Sequence, residues 1–213
     1  MRGFGESTKG YEELTINLFA EDLIAFMDRL EIKQAIVCGL SMGGYITLNA
    51  IQRFPGRFKA AILCNTQCIS DTDEVKESRF KTIDSIKEGK KETFAAAITE
   101  KMLSKHSGNH QDLTHFIHSM IISQEDEVIC DSLKALAHRW ESCSLLQEVK
   151  IPVMVVCGED DKITPVDRHK FMHEQLKNAV LHVLPKAGHL TPLEQPDLFN
   201  TAVLDFIKTI TKN

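Results

Sequence analysis

The stretch from Ala35 to Phe54 leaves this chain few ways to fold. Ala35-Ile36-Val37-Cys38 is a short, apolar, partly β-branched run bounded by Lys33-Gln34 and Gly39. That pattern suits a strand buried on both faces, which belongs in a parallel sheet. Gly39-Leu40-Ser41-Met42-Gly43-Gly44 follows, and Tyr45 to Phe54 then reads as a helix stopped by Pro55. A strand that turns through G-x-S-x-G into a helix strains its serine and projects the hydroxyl from the sheet edge. Gly39 and Gly43, two residues to either side of Ser41, are expected to remove side chains that would clash there. The helix aims its first amides, that of Met42 included, at the same point.

The alternation continues on both sides. Leu18, Phe19, Leu23, Phe26, Met27 and Leu30 recur at helical spacing, predicting a helix from about Leu14 to Leu30. Ala60 to Cys64, Val153 to Cys157 and Val180 to Leu184 read as further strands, and Leu198, Phe199, Phe206 and Ile210 mark a final amphipathic helix. Residues 1–66 and 151–213 therefore form an α/β core with a mostly parallel sheet and flanking helices. Residues 67–150 lack the alternation. Their apolar positions (Phe94, Ile98, Met102; Phe116, Met120; Leu133, Leu136) are spaced helically, so three or four helices are inserted between two strands as a cap over the sheet.

Charge narrows the partners. With 25 Lys+Arg against 30 Asp+Glu the formal net charge is -5, and no basic cluster is long enough to follow a phosphate backbone, which argues against nucleic acid. No apolar run approaches the roughly 18 residues of a membrane span, so no membrane partner is expected. Six cysteines in 213 residues are too few for a disulfide scaffold. Cys38, Cys64 and Cys157 fall in the apolar strand runs, where a thiol acts as a small buried hydrophobe, and a reducing, cytoplasmic setting is expected. His169 and His173 stand at i, i+4, and His106, His110, His115 and His118 cluster in the middle section. Without a cysteine pair or an H-E-x-x-H pattern they read as exposed histidines; neither a metal nor a cofactor is expected.

A serine hydroxyl needs a base, and the base needs a carboxylate to orient it. Gly158-Glu159-Asp160-Asp161-Lys162-Ile163-Thr164-Pro165 follows the Val153 run, so its acidic residues emerge at the same sheet edge as Ser41. Ala187-Gly188-His189-Leu190 follows the Val180 run and brings a histidine there. Serine, acid and His189 come in the chain order of a hydrolase sheet of this type.

GLSMGG, GEDDKITP and AGHLTPLEQP, with the opening RGFGES and the LCNT after the second strand, resemble the α/β-hydrolase family. The likeness covers essentially the whole chain and is nearest to serine esterases and 3-oxoadipate enol-lactonase-like members. It implies a Ser41-Asp161-His189 triad, because the family's G-x-x-D-x-x-x-P spacing selects Asp161 and leaves Asp160 a solvated neighbour. Ser41, where dehalogenases and epoxide hydrolases of the family carry aspartate, implies an acyl-enzyme route on a small carboxylic ester or lactone. Carbon–carbon bond hydrolysis and perhydrolysis use the same triad and stay open, as do an inactive fragment and a ligand-binding form of the fold. Leu40, Met120, Trp140 and Leu190 are candidate pocket residues; Met120 and Trp140 fit equally well as packing between cap and core.

The resemblance also bears on the start of the chain. Arg2-Gly3-Phe4-Gly5-Glu6-Ser7 reads as a glycine turn that normally follows a strand, and family members carry further strands before it. About 60 residues are expected upstream, with Met1 an internal methionine of a longer protein. They would include the second backbone donor that joins the Met42 amide in an oxyanion hole, a donor whose loss costs roughly 2.7–4 kcal/mol. Without them the Ala35 strand is expected to be a sheet edge, open to self-association.

Overall fold

The computed structural model describes residues 1–108 and 110–211. Four strands, β1 (Ala35–Leu40), β2 (Phe58–Cys64), β3 (Val153–Gly158) and β4 (Ala179–Leu184), form one sheet in the order β1-β2-β3-β4, and every pair is parallel. All four carboxyl ends therefore share one edge.

Period-two alternation explains how β2 and β3 are buried on both faces. Ala61, Leu63, Val153 and Val155 join one apolar cluster with Phe19, Ala20, Ile46 and Met172, while Ala60, Ile62, Met154 and Val156 join another with Ala202 and Phe206. The first face is covered by α1 (Ile16–Arg29), α2 (Met42–Arg53) and α7 (Val166–Gln175), and the second by α9 (Pro196–Thr211). Thr15 caps α1 by accepting from the Leu18 amide at 3.0 Å. On α9 the buried residues are Ala202 and Phe206, and Leu198 is exposed.

β1 departs from the doubly buried strand its composition predicts. It is the sheet edge, as expected for the Ala35 strand, Cys38 is exposed rather than buried, and along it runs a groove of about 770 Å³ bordered by Phe19, Leu23, Phe26, Cys38 and Gly43. An apolar run records what a strand can bury, not what its neighbours cover. The opening turn is fixed by Arg2, whose guanidinium reaches both oxygens of Asp22 on α1 at 2.8 and 2.6 Å.

Between β2 and β3 lie α3 (Asp73–Lys87), α4 (Lys91–Met102), α5 (His110–Ile122) and α6 (Asp126–Ala137). α3 and α6 pack through Ile83, Ile86, Ile129 and Cys130. On α5 the buried stripe is Leu113 and Ile117, one position away from the expected Phe116 and Met120, which face outward. The two ends of this insertion meet. Cys68 and Cys143 form a disulfide, the Ser142 amide donates to the Cys68 carbonyl at 2.9 Å, and the buried Arg139 pairs with the buried Asp71 at 2.8 Å. The strand cysteines Cys64 and Cys157 are free and buried, but the Cys68–Cys143 pair departs from the all-thiol chemistry expected of a reducing setting. Among the described residues no helix is long and apolar enough to cross a membrane.

Candidate active site

Ser41 occupies the turn between β1 and α2 at φ 51° and ψ -113°, a conformation that strains any residue with a Cβ. Three backbone bonds hold it. Its amide donates to the Cys64 carbonyl at 2.9 Å, and its carbonyl accepts from Thr66 Oγ1 and from the Gly44 amide, each at 2.9 Å. A Cβ at Gly39 would lie 2.2 Å from the Gly43 carbonyl oxygen, and one at Gly44 would lie 2.4 Å from the Thr66 hydroxyl. Around Gly43 there is nothing within 4 Å, so the crowding expected at Gly43 falls on Gly44 instead.

The loop after β3 brings in Asp161. Its Oδ1 accepts from the amides of Ile163 and Thr164 at 2.8 and 2.9 Å, and its Oδ2 from Thr164 Oγ1, Asn65 Nδ2 and His189 Nδ1 at 2.7, 2.9 and 2.9 Å. Burial opposes its charge, but the His189 contact and these donors outweigh burial and hold the carboxyl below the usual carboxylate range. Of the three acids, Asp161 alone meets the histidine. Asp160 is no mere solvated neighbour: it accepts from Ser104 Oγ at 2.5 Å and pairs with His106 Nδ1 at 2.9 Å, tying the loop to the insertion.

His189 stands on the loop after β4 and is 1% exposed. An ionised Asp161 only accepts, so Nδ1 carries the proton and Nε2 keeps a free lone pair. Nε2 is buried and has no hydrogen-bond partner, so no bond to Ser41 Oγ is formed in this state. The three amides around the ring are all held. The His189 amide donates to the Met102 carbonyl at 2.7 Å, and the amides of Gly188 and Leu190 donate to Glu194 Oε1 at 2.9 and 3.0 Å.

Sequence reasoning missed the residues beneath this site. Asn65, the first residue after β2, sits at φ 46°. Its Nδ2 also donates to the Gly188 carbonyl at 3.0 Å, and its Oδ1 accepts from Thr191 Oγ1 at 2.6 Å. LCNT carried Asn65 and Thr66 only as part of a likeness, and nothing local told what they would touch. His169, expected on the surface, is fully buried on α7, where Nε2 accepts the Thr66 amide at 3.0 Å. Burial holds its imidazole down at about 4, so it is neutral at physiological pH.

Of the four candidate pocket residues, Leu40 and Leu190 come together with Leu103, Leu113 and Ile117 of the insertion in one apolar cluster beside Ser41 and His189. Met120 is exposed on the outer side of α5. Trp140 borders a cleft of about 260 Å³ with Thr15, Asn17, Lys134 and His138. The structure thus groups two of the four.

The chain matches the profile of the alpha/beta hydrolase fold over residues 1–196. It is 29% identical over 202 residues to 3-oxoadipate enol-lactonase 2 of Acinetobacter baylyi, covering 95% of this chain and 74% of that protein. It is 25% identical over 222 residues to a 2-hydroxy-6-oxononadienedioate/2-hydroxy-6-oxononatrienedioate hydrolase of a Pseudomonas species, covering 96% of this chain and 74% of that one. Among solved structures, the thermophilic esterase of Thermogutta terrifontis superposes with a TM-score of 0.94 at 28% identity, over 99% of this chain and 78% of the esterase. A four-stranded parallel sheet with helices on both faces, a strained serine turn and an acid–histidine pair at one edge agree with that profile, and the chain belongs to the α/β-hydrolase fold family.

Proposed function

We propose that this protein is a serine hydrolase that cleaves a small carboxylic ester or lactone through an acyl-enzyme on Ser41. The observation that carries the reading is the buried Asp161–His189 pair at 2.9 Å, with Nε2 free, at the sheet edge where the strained Ser41 projects. An unpartnered buried imidazole nitrogen costs stability, and one at the sheet edge that carries a strained serine is free to accept a proton.

In the first half-reaction Ser41 Oγ bonds to the substrate carbonyl carbon as its proton passes to His189 Nε2. Asp161 keeps the ring oriented and stabilises the imidazolium. The carbonyl oxygen becomes an oxyanion, and the Met42 amide, the first N–H of α2, donates to it. Collapse breaks the bond to the alkoxide, which takes the proton from Nε2. Water then gives a proton to Nε2, attacks the acyl carbon and releases the acid, and Ser41 recovers its hydrogen. The apolar wall of Leu40, Leu190, Leu103, Leu113 and Ile117 suits a small acyl group. The likeness to the enol-lactonase and the esterase supports the same bond class.

Intact mass after exposure to a fluorophosphonate, measured beside Ser41→Ala, tests this. One adduct on the wild-type chain and none on the variant is expected. A soluble wild-type chain that takes no adduct overturns the acyl-enzyme reading.

A further inference from the structure

Glu194 is 4% exposed and ends the short helix α8 (Thr191–Glu194) that follows His189. Its carboxylate accepts four hydrogen bonds, all from neutral donors. Oε1 takes the amides on both sides of His189, those of Gly188 and Leu190. Oε2 takes the Ser104 amide at 2.7 Å and Ser107 Oγ at 2.6 Å. These last two belong to the connection between α4 and α5, within the helical insertion. The insertion takes the third amide of the loop as well, because Met102 at the end of α4 accepts from His189 itself at 2.7 Å.

A carboxylate buried without a cation is expensive, and here only a side chain with two acceptor oxygens serves all four donors at once. Its two oxygens divide cleanly: one serves the histidine loop, the other the insertion. We propose that Glu194 is a positioning residue that couples the helical insertion to His189, so that the placement of α4 and α5 sets where Nε2 lies relative to Ser41. This rests on the reading of His189 as the base. The coupling has a use in that chemistry. Leu103, in the connection that Glu194 holds, and Leu113 and Ile117, on the α5 that follows it, belong to the apolar cluster beside Ser41. An acyl group that settles the insertion against the sheet settles the imidazole with it.

A local role, in which Glu194 only closes the turn at Leu190, predicts a different result from coupling. The test is saturation kinetics of fluorophosphonate modification, read by intact mass, for wild type, Glu194→Gln and Ser107→Ala, with amide hydrogen exchange on the same proteins. Gln keeps an acceptor for one half of the clamp and sets an NH2 against the donors of the other; Ser107→Ala removes a single donor on the insertion side and preserves folding if Glu194→Gln does not. Coupling predicts that the maximal rate of modification falls about tenfold or more in Glu194→Gln while the half-saturating concentration stays within about threefold, since a small misplacement of a reacting group is felt in rate rather than affinity. The Gly188, Leu190 and Ser104 amides should exchange faster together, and Ser107→Ala should show the same pattern at smaller amplitude. Unchanged maximal rates in both variants, with the wild type modified normally, overturn the coupling and leave the acyl-enzyme reading intact. A wild type that takes no adduct overturns both.

Discussion

The side-chain amide of Asn65 donates to Asp161 Oδ2 at 2.9 Å across 96 residues of chain, and the same nitrogen donates to the Gly188 carbonyl beside His189. One buried side chain thus joins the ends of three strands: β2, which it follows, β3 through Asp161 and β4 through Gly188. Asn65→Ala leaves the Gly188 carbonyl without its side-chain donor, leaves Thr191 Oγ1 only its Cys64 contact and places an alanine at positive φ, and should cost about 2–4 kcal/mol of stability. Asn65→Asp sets a second carboxylate against Asp161, so that one of the two must take up a proton, and should slow fluorophosphonate modification of Ser41. Denaturant unfolding of the first variant and labelling kinetics of the second check this. Wild-type behaviour in either would show that the three loops do not depend on Asn65.

His169 gives the fold an acid limit. Its folded pKa of about 4 lies below the ordinary 6.5. The unfolded chain therefore binds more protons between those values, and stability rises with pH across them. The contribution is complete above about 6.5 and is lost as pH falls toward 4, amounting to roughly 3 kcal/mol at most. Protonated Nε2 could no longer accept the Thr66 amide, and Thr66 in turn holds the Ser41 carbonyl. His169→Gln keeps an acceptor without the titration. Denaturation midpoints measured from pH 7 to 4 should fall more steeply for the wild type; parallel curves would rule the account out.

The three glycines around Ser41 should respond differently to alanine. At Gly39 and Gly44 the new Cβ meets atoms at 2.2 and 2.4 Å, backbone in the first case, and each substitution should cost more than about 3 kcal/mol or abolish folding. At Gly43, inside α2 with nothing within 4 Å, alanine should be neutral or stabilising by up to about 1 kcal/mol through helix propensity. Thermal melts of the three variants suffice, and a Gly43→Ala protein as damaged as the other two would contradict the geometry.

These residues also mark what sequence alone could reach. β2 and β3 were legible because strands buried on both faces leave runs such as Ala60 to Cys64 that need no knowledge of their neighbours. The serine turn, the acid loop and the histidine loop were legible because each follows a strand-like apolar run, and the parallel order carries them to one edge. Spacing within GEDDKITP told which acid would meet the histidine only through the family likeness. What escaped was set by distant partners. His169 lies in a segment rich in polar residues, and its burial follows from the Thr66 amide needing an acceptor. Cys68 and Cys143, 75 residues apart, meet because the insertion returns to where it left. Cys38 lies in an apolar run that reads as buried, and its exposure follows from the edge position expected for that strand.

The parallel sheet has a consequence for how the molecule comes into being. Each strand of the β1-β2-β3-β4 order waits for a crossover before its partner arrives, so contacts that define the site form late in folding. On a ribosome, Ser41 and its turn emerge long before Asp161, and His189 with Glu194 follows later still. A nascent chain therefore carries Ser41 before the loops that hold Asp161 and His189 exist. The Asp161–His189 pair can form only once β4 has docked beside β3.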